Sequence, residues 1–190
     1  MRYVYDYLFM AMWIGFCAYW WLMGRQVKQE ERRESYASRK FRLLMMTAGT
    51  LLLALPRIPL PPLNLRLYSQ GEWSFWMGAA VTAAGIAFSI WARRYLGGNW
   101  SRAVTVKKDH ELITGGPYRF VRHPIYTGLL LALLGSALAV AEVRGYLAVA
   151  LIGITLWLKL RLEEKWMQQH FGEAYVAYSR RTSALVPFLL

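Results

Sequence analysis

Five stretches of the chain are apolar enough to predict helices that cross a bilayer. They are Val4 to Met23, Leu43 to Leu55, Trp73 to Ala92, Ile125 to Ala141 and Tyr146 to Leu158. The third holds 20 residues without a charge, enough for about 30 Å of hydrocarbon. The second is short unless it tilts or runs past Arg57. The polar intervals say how the helices are joined. Gly24 to Arg42 is rich in both charge signs, and its RQVKQEERRES portion predicts a surface helix or a solvated connector. Four prolines between Pro56 and Pro62 forbid a regular helix and predict an extended crossing loop. Arg93 to His123 is a long polar connector, with Ala103–Val106 and Leu112–Ile113 as short extended pieces and a sharp turn at Gly115–Gly116. Only Glu142 to Gly145 separates the last two apolar runs, which predicts a tight antiparallel helical hairpin. The final helix is expected to continue through KLRLEEKWMQQHF to a C-cap at Gly172. A short tail with an apolar LVPFLL patch follows.

These elements predict an all-α membrane protein of about five transmembrane helices, forming one membrane domain over residues 1–190. Residues 1–92 would carry the first three spans, and residues 93–190 the connector, the hairpin and the C-terminal polar region. Composition agrees: 56% of the 190 residues are hydrophobic, including 9 Trp and 12 Tyr. The net charge of +12 could serve nucleic acid, but its distribution assigns it to topology. Taken in chain order, the polar intervals hold 1, 7, 2, 7, 1 and 5 of the 23 Lys and Arg residues, so 19 fall on one side of a five-span bundle. The positive-inside rule then puts the N-terminus outside and the C-terminus in the cytoplasm. The N-terminal run is not expected to be a cleavable signal peptide, since Asp6 interrupts it and no A-x-A site follows. Cys17, the sole cysteine, allows no internal disulfide and is expected in a membrane helix. His110 and His170 are scattered and read as surface residues, and no metal site is expected.

Chemistry concentrates between Gly115 and Gly128, GGPYRFVRHPIYTG. Pro124 suits the first position of a helix, where its missing N–H costs nothing. His123 then stands at the N-cap, with the backbone N–H groups of Ile125, Tyr126 and Thr127 open at the helix start. A helix N-terminus attracts anions, and Arg119 and Arg122 add positive charge beside it. The plainer reading is a basic loop at the headgroups with tyrosines in the aromatic belt. Glu163 and Glu164 form a second candidate group, about one turn beyond the apolar run that ends at Leu158. They could be solvated partners of Lys159 and Lys165. A short hairpin would instead bring them to the membrane face that holds His123 and Arg122.

The string PYRFVRHPIYTG resembles the PYxxxRHPxYxG signature of the integral-membrane methyltransferases, a group that includes isoprenylcysteine carboxyl methyltransferases and phospholipid N-methyltransferases. All fixed positions match: Pro117, Tyr118, Arg122, His123, Pro124, Tyr126 and Gly128. The stretch EEKWMQQHFGEAYVAY is similar to the family's C-terminal pattern, through Glu163, Glu164, Phe171, Gly172, Tyr175 and Tyr178. The resemblance covers about residues 95–190 and leaves the first two spans without a motif. It implies S-adenosylmethionine as cofactor, held in a cytoplasmic pocket by His123, Pro124, Ile125, Tyr126, Glu163 and Glu164. Tyr118, Tyr126 and Trp166 could offer π-faces to the sulfonium or the adenine. The implied acceptor is lipidic or prenylated and enters from the membrane, with Arg122 orienting a carboxylate. The resemblance also implies a second arginine one turn before the glutamate pair. Here Lys159 stands there, with Arg161 two residues on, so Lys159 is the second catalytic candidate. Lysine binds an anion as a point charge rather than a fork. Carboxyl O-methylation of an isoprenylcysteine-type acceptor is thus the first expectation, and lipid amine or thiol methylation the second. A membrane enone or sterol reductase using a nicotinamide cofactor is the alternative from another class. No nucleic-acid partner is expected.

Overall fold

The computed structural model describes residues 2–24, 30–99, 105–107 and 112–187. His110 and the first half of the expected Ala103–Val106 piece lie outside the described residues. Five long helices form in chain order: α1 (Arg2–Met23), α2 (Tyr36–Ala54), α3 (Glu72–Leu96), α4 (Pro124–Val140) and α5 (Val143–Phe171). A short α6 (Glu173–Ser179) follows. Where a surface helix or a solvated connector was expected before α2, Glu30–Arg33 (β1) instead pairs antiparallel with Thr105–Lys107 (β2); residues 25–29 of that stretch lie outside the described residues. This ribbon is the one sheet among the described residues, and the rest of the fold is helical.

The second helix begins two turns earlier than its apolar run predicted. Ser35 caps it, its hydroxyl accepting from Ser38 N. The capped polar turns extend the helix to 19 residues. The proline loop holds a 3-10 turn at Pro61–Asn64, stapled by the Asn64 side chain to Ile58. The expected four-residue hairpin turn is shorter than predicted. Ala141 closes α4 in the left-handed conformation (φ 60°), and Val143 already begins α5. Residues of the proline loop hold the junction from outside: Leu67 N donates to Ala141 O, and Val143 N to Leu65 O. Arg144, buried there, pairs with Glu142 and donates to the carbonyls of Leu52 in α2 and of Leu55, which caps it. The C-cap at Gly172 forms as predicted, with φ 54°.

Contacts fix the helix directions. Phe9 packs on Phe75 near one end, and Arg93 donates to Met23 O near the other, so α1 and α3 are parallel. Gly78 and Gly85 of α3 meet Gly135 and Gly128 of α4 in the opposite sense. Gly153 of α5 faces Leu130, and Arg144 faces the end of α2. The five long helices therefore alternate in direction. The ends of α1, α3 and α5 and the starts of α2 and α4 share one face.

The α3–α4 contact is the tightest. A Cβ on Gly85 would fall 2.4 Å from Ala132 N, and one on Gly135 2.4 Å from Thr82 N. Small residues let membrane helices approach this closely, so that backbone packing and side-chain hydrogen bonds do the joining. Thr82 donates to Ala132 O, Ser89 to Ile125 O, and Trp13 of α1 reaches Ser136. Large apolar side chains cover the outside, among them Ile14, Leu43, Trp73 and Ile154, each more than 60% exposed. Such an exterior suits lipid. Two helices, α3 and α5, are long and apolar enough to cross a membrane, and Tyr7–Met23 and α4 are shorter apolar helices. Cys17 lies on an exposed part of α1.

Candidate functional site

The site assembles where α4 begins and the polar end of α5 leaves the apolar bundle. At 1.5 Å per residue the 29-residue α5 is about 43 Å long. That exceeds a hydrocarbon core of about 30 Å by more than two turns, and the polar sequence after Leu158 is the part least suited to lipid. Gly116, at φ 56°, turns the chain into a 3-10 turn over Gly116–Arg119. A Cβ there would strike the Tyr95 ring of α3 at 2.6 Å. His123 then takes the N-cap of α4 and Pro124 its first helical position. The His123 side chain does not cap the helix, which leaves the imidazole for other contacts.

The C-terminal segment lies along the signature as a strap. Arg122 N donates to Ser183 O at 2.8 Å and His123 N to Ala184 O at 3.0 Å. Thr127 Oγ1 donates to Leu185 O at 2.6 Å. Tyr178 of α6 closes the far side, its hydroxyl donating to Tyr118 O at 2.7 Å. Sequence patterning missed this strap, because it is held by backbone groups that carry no residue signature.

The two glutamates have separate partners. Glu163 accepts from the Tyr126 hydroxyl at 2.7 and 2.9 Å, with Lys159 Nζ 3.6 Å and His123 Nδ1 3.6 Å away. Glu164 accepts from Arg122 Nε at 2.6 Å. His123 bridges the pair. Its ring stacks on Tyr126, centroids 5.5 Å apart, and its Nε2 lies 3.3 Å from Glu164 Oε1. That Nε2 is buried and faces the Glu164 carboxylate. Burial works against the Glu164 charge, but His123 and Arg122 outweigh it and lower the carboxyl to about 2. Lys159 sits over the Tyr126 ring at 5.1 Å.

Three expectations are corrected. Arg122, expected to orient an acceptor carboxylate, has its guanidinium on Glu164 and on the carbonyls of Ser179 and Thr182, and so ties the strap to α5. The N–H groups of Tyr126 and Thr127 are spent on His123 O, at 3.0 Å each, leaving Ile125 as the one donor of the three not committed there. Tyr118 and Trp166 are buried packing residues, Tyr118 with its hydroxyl toward Ala92 O and Trp166 against Leu162. Among the described residues no cluster of His, Cys, Asp or Glu could hold a metal ion. His170 is exposed near the end of α5.

Residues 73–174 match the family model described as phospholipid methyltransferase, which is more than half of the chain and includes both the signature and the glutamate pair. The chain belongs to this family. A protein-S-isoprenylcysteine O-methyltransferase B of Arabidopsis thaliana is 28% identical over 96 residues, 49% of either chain. A cobalt-zinc-cadmium resistance protein of Cupriavidus metallidurans is 30% identical over 115 residues, 60% of this chain and 47% of that one. The chain thus spans about half the length of the curated relatives it matches. Among solved structures, the eukaryotic intramembrane Ras methyltransferase (isoprenylcysteine carboxyl methyltransferase) shares the fold of this family member. Its TM-score is 0.53 at 22% identity, over 80% of this chain and 52% of that one.

Proposed function

We propose that this protein is an integral-membrane methyltransferase that uses S-adenosylmethionine and methylates a lipidic or prenylated acceptor, most simply at a carboxylate. One observation carries the reading. The fold joins His123 and Tyr126 at the start of α4 to Glu163 and Glu164 near the end of α5, with the buried imidazole between the two carboxylates. These residues fit the cofactor's polar end. Glu163 offers a carboxylate to an ammonium, Ile125 N–H an anion donor at a helix start, and Tyr126 and His123 stacked π-faces. When bound, S-adenosylmethionine would supply an electrophilic methyl group on its sulfonium for an acceptor oxygen. A carboxylate acceptor needs no general base, so the chain's work is to position, to exclude water and to offset the acceptor's charge. Lys159 provides that positive charge beside Tyr126. The apolar exterior lets the acceptor's hydrocarbon tail stay in the bilayer.

Glu163→Gln is expected to weaken S-adenosylmethionine binding by roughly 1–3 kcal/mol, by loss of a charge-assisted contact. Calorimetric titration of the purified protein checks this, with a nicotinamide dinucleotide as the comparison ligand. Undiminished affinity in the variant, or preference for the dinucleotide, would contradict the reading.

Alternating helix directions and the uneven basic residues support five spans with the site at the cytoplasmic face. Reporter fusions after Leu65 and at Leu190 are expected to signal outside and inside, respectively. A cytoplasmic signal after Leu65 would contradict that topology.

A further inference from the structure

The acceptor-binding part of this reading lacks a buried, uncommitted guanidinium near the site: Arg161, on α5 two residues after Lys159, is exposed. Arg122 is committed to Glu164 and to the carbonyls of Ser179 and Thr182. Lys159 is a point charge, unable to fork onto a carboxylate. The structure supplies a guanidinium from a different helix. Gly49 of α2 meets Ile152 of α5, where a Cβ would fall 2.6 Å from Ile152 Cγ1. The two helices are antiparallel, so two turns back along α2 is level with two turns forward along α5. Arg42 is therefore level with Lys159. Met46, one turn after Arg42 on the same stripe, packs on the apolar cluster that Tyr126 also covers.

Arg42 is buried at the level of the site, and its partner is itself a carboxylate. Its Nη2 donates to Glu34 Oε1 and its Nη1 to Ser38 Oγ at 3.0 Å. Both residues are less than a tenth exposed. A buried ion pair of this kind adds little net stability over an apolar one, because both charges lose water. Glu34 lies just before the Ser35 cap of α2 and belongs to no helix or strand, so its side chain can leave without unwinding a helix. We infer that Arg42 binds the anionic group of the acceptor, and that Glu34 holds this guanidinium until an acceptor carboxylate displaces it. The inference rests on the methyltransferase reading with an anionic acceptor.

The test compares two probes for equilibrium binding in detergent micelles with S-adenosylhomocysteine present: farnesylated N-acetylcysteine and its uncharged carboxamide. The unmodified protein is expected to prefer the carboxylate by about tenfold or more. Arg42→Gln should bring that preference to within about threefold while leaving S-adenosylmethionine affinity in place. Glu34→Gln should do the opposite and tighten the carboxylate probe alone, a gain that a merely structural ion pair would not give. An unaltered preference in Arg42→Gln overturns the assignment. If that variant does not fold, Glu34→Gln decides, and unchanged carboxylate affinity there overturns it equally. An unmodified protein that binds S-adenosylmethionine but treats both probes alike refutes the anionic acceptor, and Arg42's role with it. One that does not bind S-adenosylmethionine refutes the methyltransferase reading itself.

Discussion

Gly85→Val is expected to abolish the folded protein, whereas Gly15→Val leaves it folded. Both glycines lie in long helices, so both substitutions change intrinsic helix propensity alike. They differ in what a side chain meets. A Cβ at Gly85 falls 2.4 Å from Ala132 N and 2.5 Å from Gly128 O, both backbone atoms that no rotamer change can move. At Gly15 nothing lies within 4 Å. Relieving the Gly85 clash means pushing α3 and α4 apart along the stripe that also holds Gly78, Gly128 and Gly135. Overpacking costs typically 1–3 kcal/mol, occasionally more. Here the separation would also break the bonds from Thr82 to Ala132 O and from Ser89 to Ile125 O. We expect a total above about 3 kcal/mol, enough to remove most of the stability of a typical domain. Size-exclusion profiles and thermal unfolding in detergent check it. A well-folded Gly85→Val protein would show that the contact can open cheaply.

The same residues explain what sequence can and cannot reveal. Helix-scale apolar runs are local, so α1, α3, α4 and α5 are legible from composition alone. The N-cap at His123, Pro124 at the first turn and the C-cap at Gly172 are legible because capping depends on one or two residue types. The start of α2 is less so. Ser35 is one of several polar residues in its segment, and only the structure shows it accepting from Ser38 N. The β1–β2 ribbon joins segments about 75 residues apart, and nothing in EERR or TVK announces the pairing. Glu163 and Glu164 could be placed near His123 because the hairpin is short. Their division of labour could not, since it depends on which face of α5 each occupies. Arg42 gave no signal at all: in the sequence it is one basic residue among seven in a polar connector.

Arg122 was expected to orient an acceptor carboxylate, and its surroundings change what its loss should do. Its Nε donates to Glu164 at 2.6 Å and its Nη1 to Ser179 O at 3.1 Å, with Thr182 O a third partner. The guanidinium therefore joins the signature, the end of α5 and the strap in one contact. Arg122→Ala leaves Glu164 partly buried without its strongest partner and leaves two carbonyls without a donor. Loss of one member of a buried pair costs about 3–5 kcal/mol, and this site is somewhat more open. We expect about 2–3 kcal/mol of destabilisation, release of residues 179–185 and loss of methyl transfer together. Arg122→Lys should recover only part, since an ammonium cannot reach Glu164 and both carbonyls at once. Arg119→Lys is the control, because Arg119 is exposed and stacks on Phe120.

A pH series separates this clamp from a general loss of stability. With its carboxyl at about 2 rather than the ordinary 4.5, Glu164 contributes stability that is fully present above about pH 4.5. That contribution is lost as pH falls towards 2. The stability gap between the unmodified protein and Arg122→Ala should therefore be constant near neutral pH and close steadily through this acid range. Hydrogen exchange at the backbone N–H groups of Arg122 and His123, which the strap carbonyls of Ser183 and Ala184 protect, reports the strap directly. Slow exchange in Arg122→Ala, with methyl transfer nonetheless lost, would return Arg122 to the acceptor. Fast exchange together with that closing gap assigns it to the strap, and an intact strap is then what keeps His123 facing the glutamate pair.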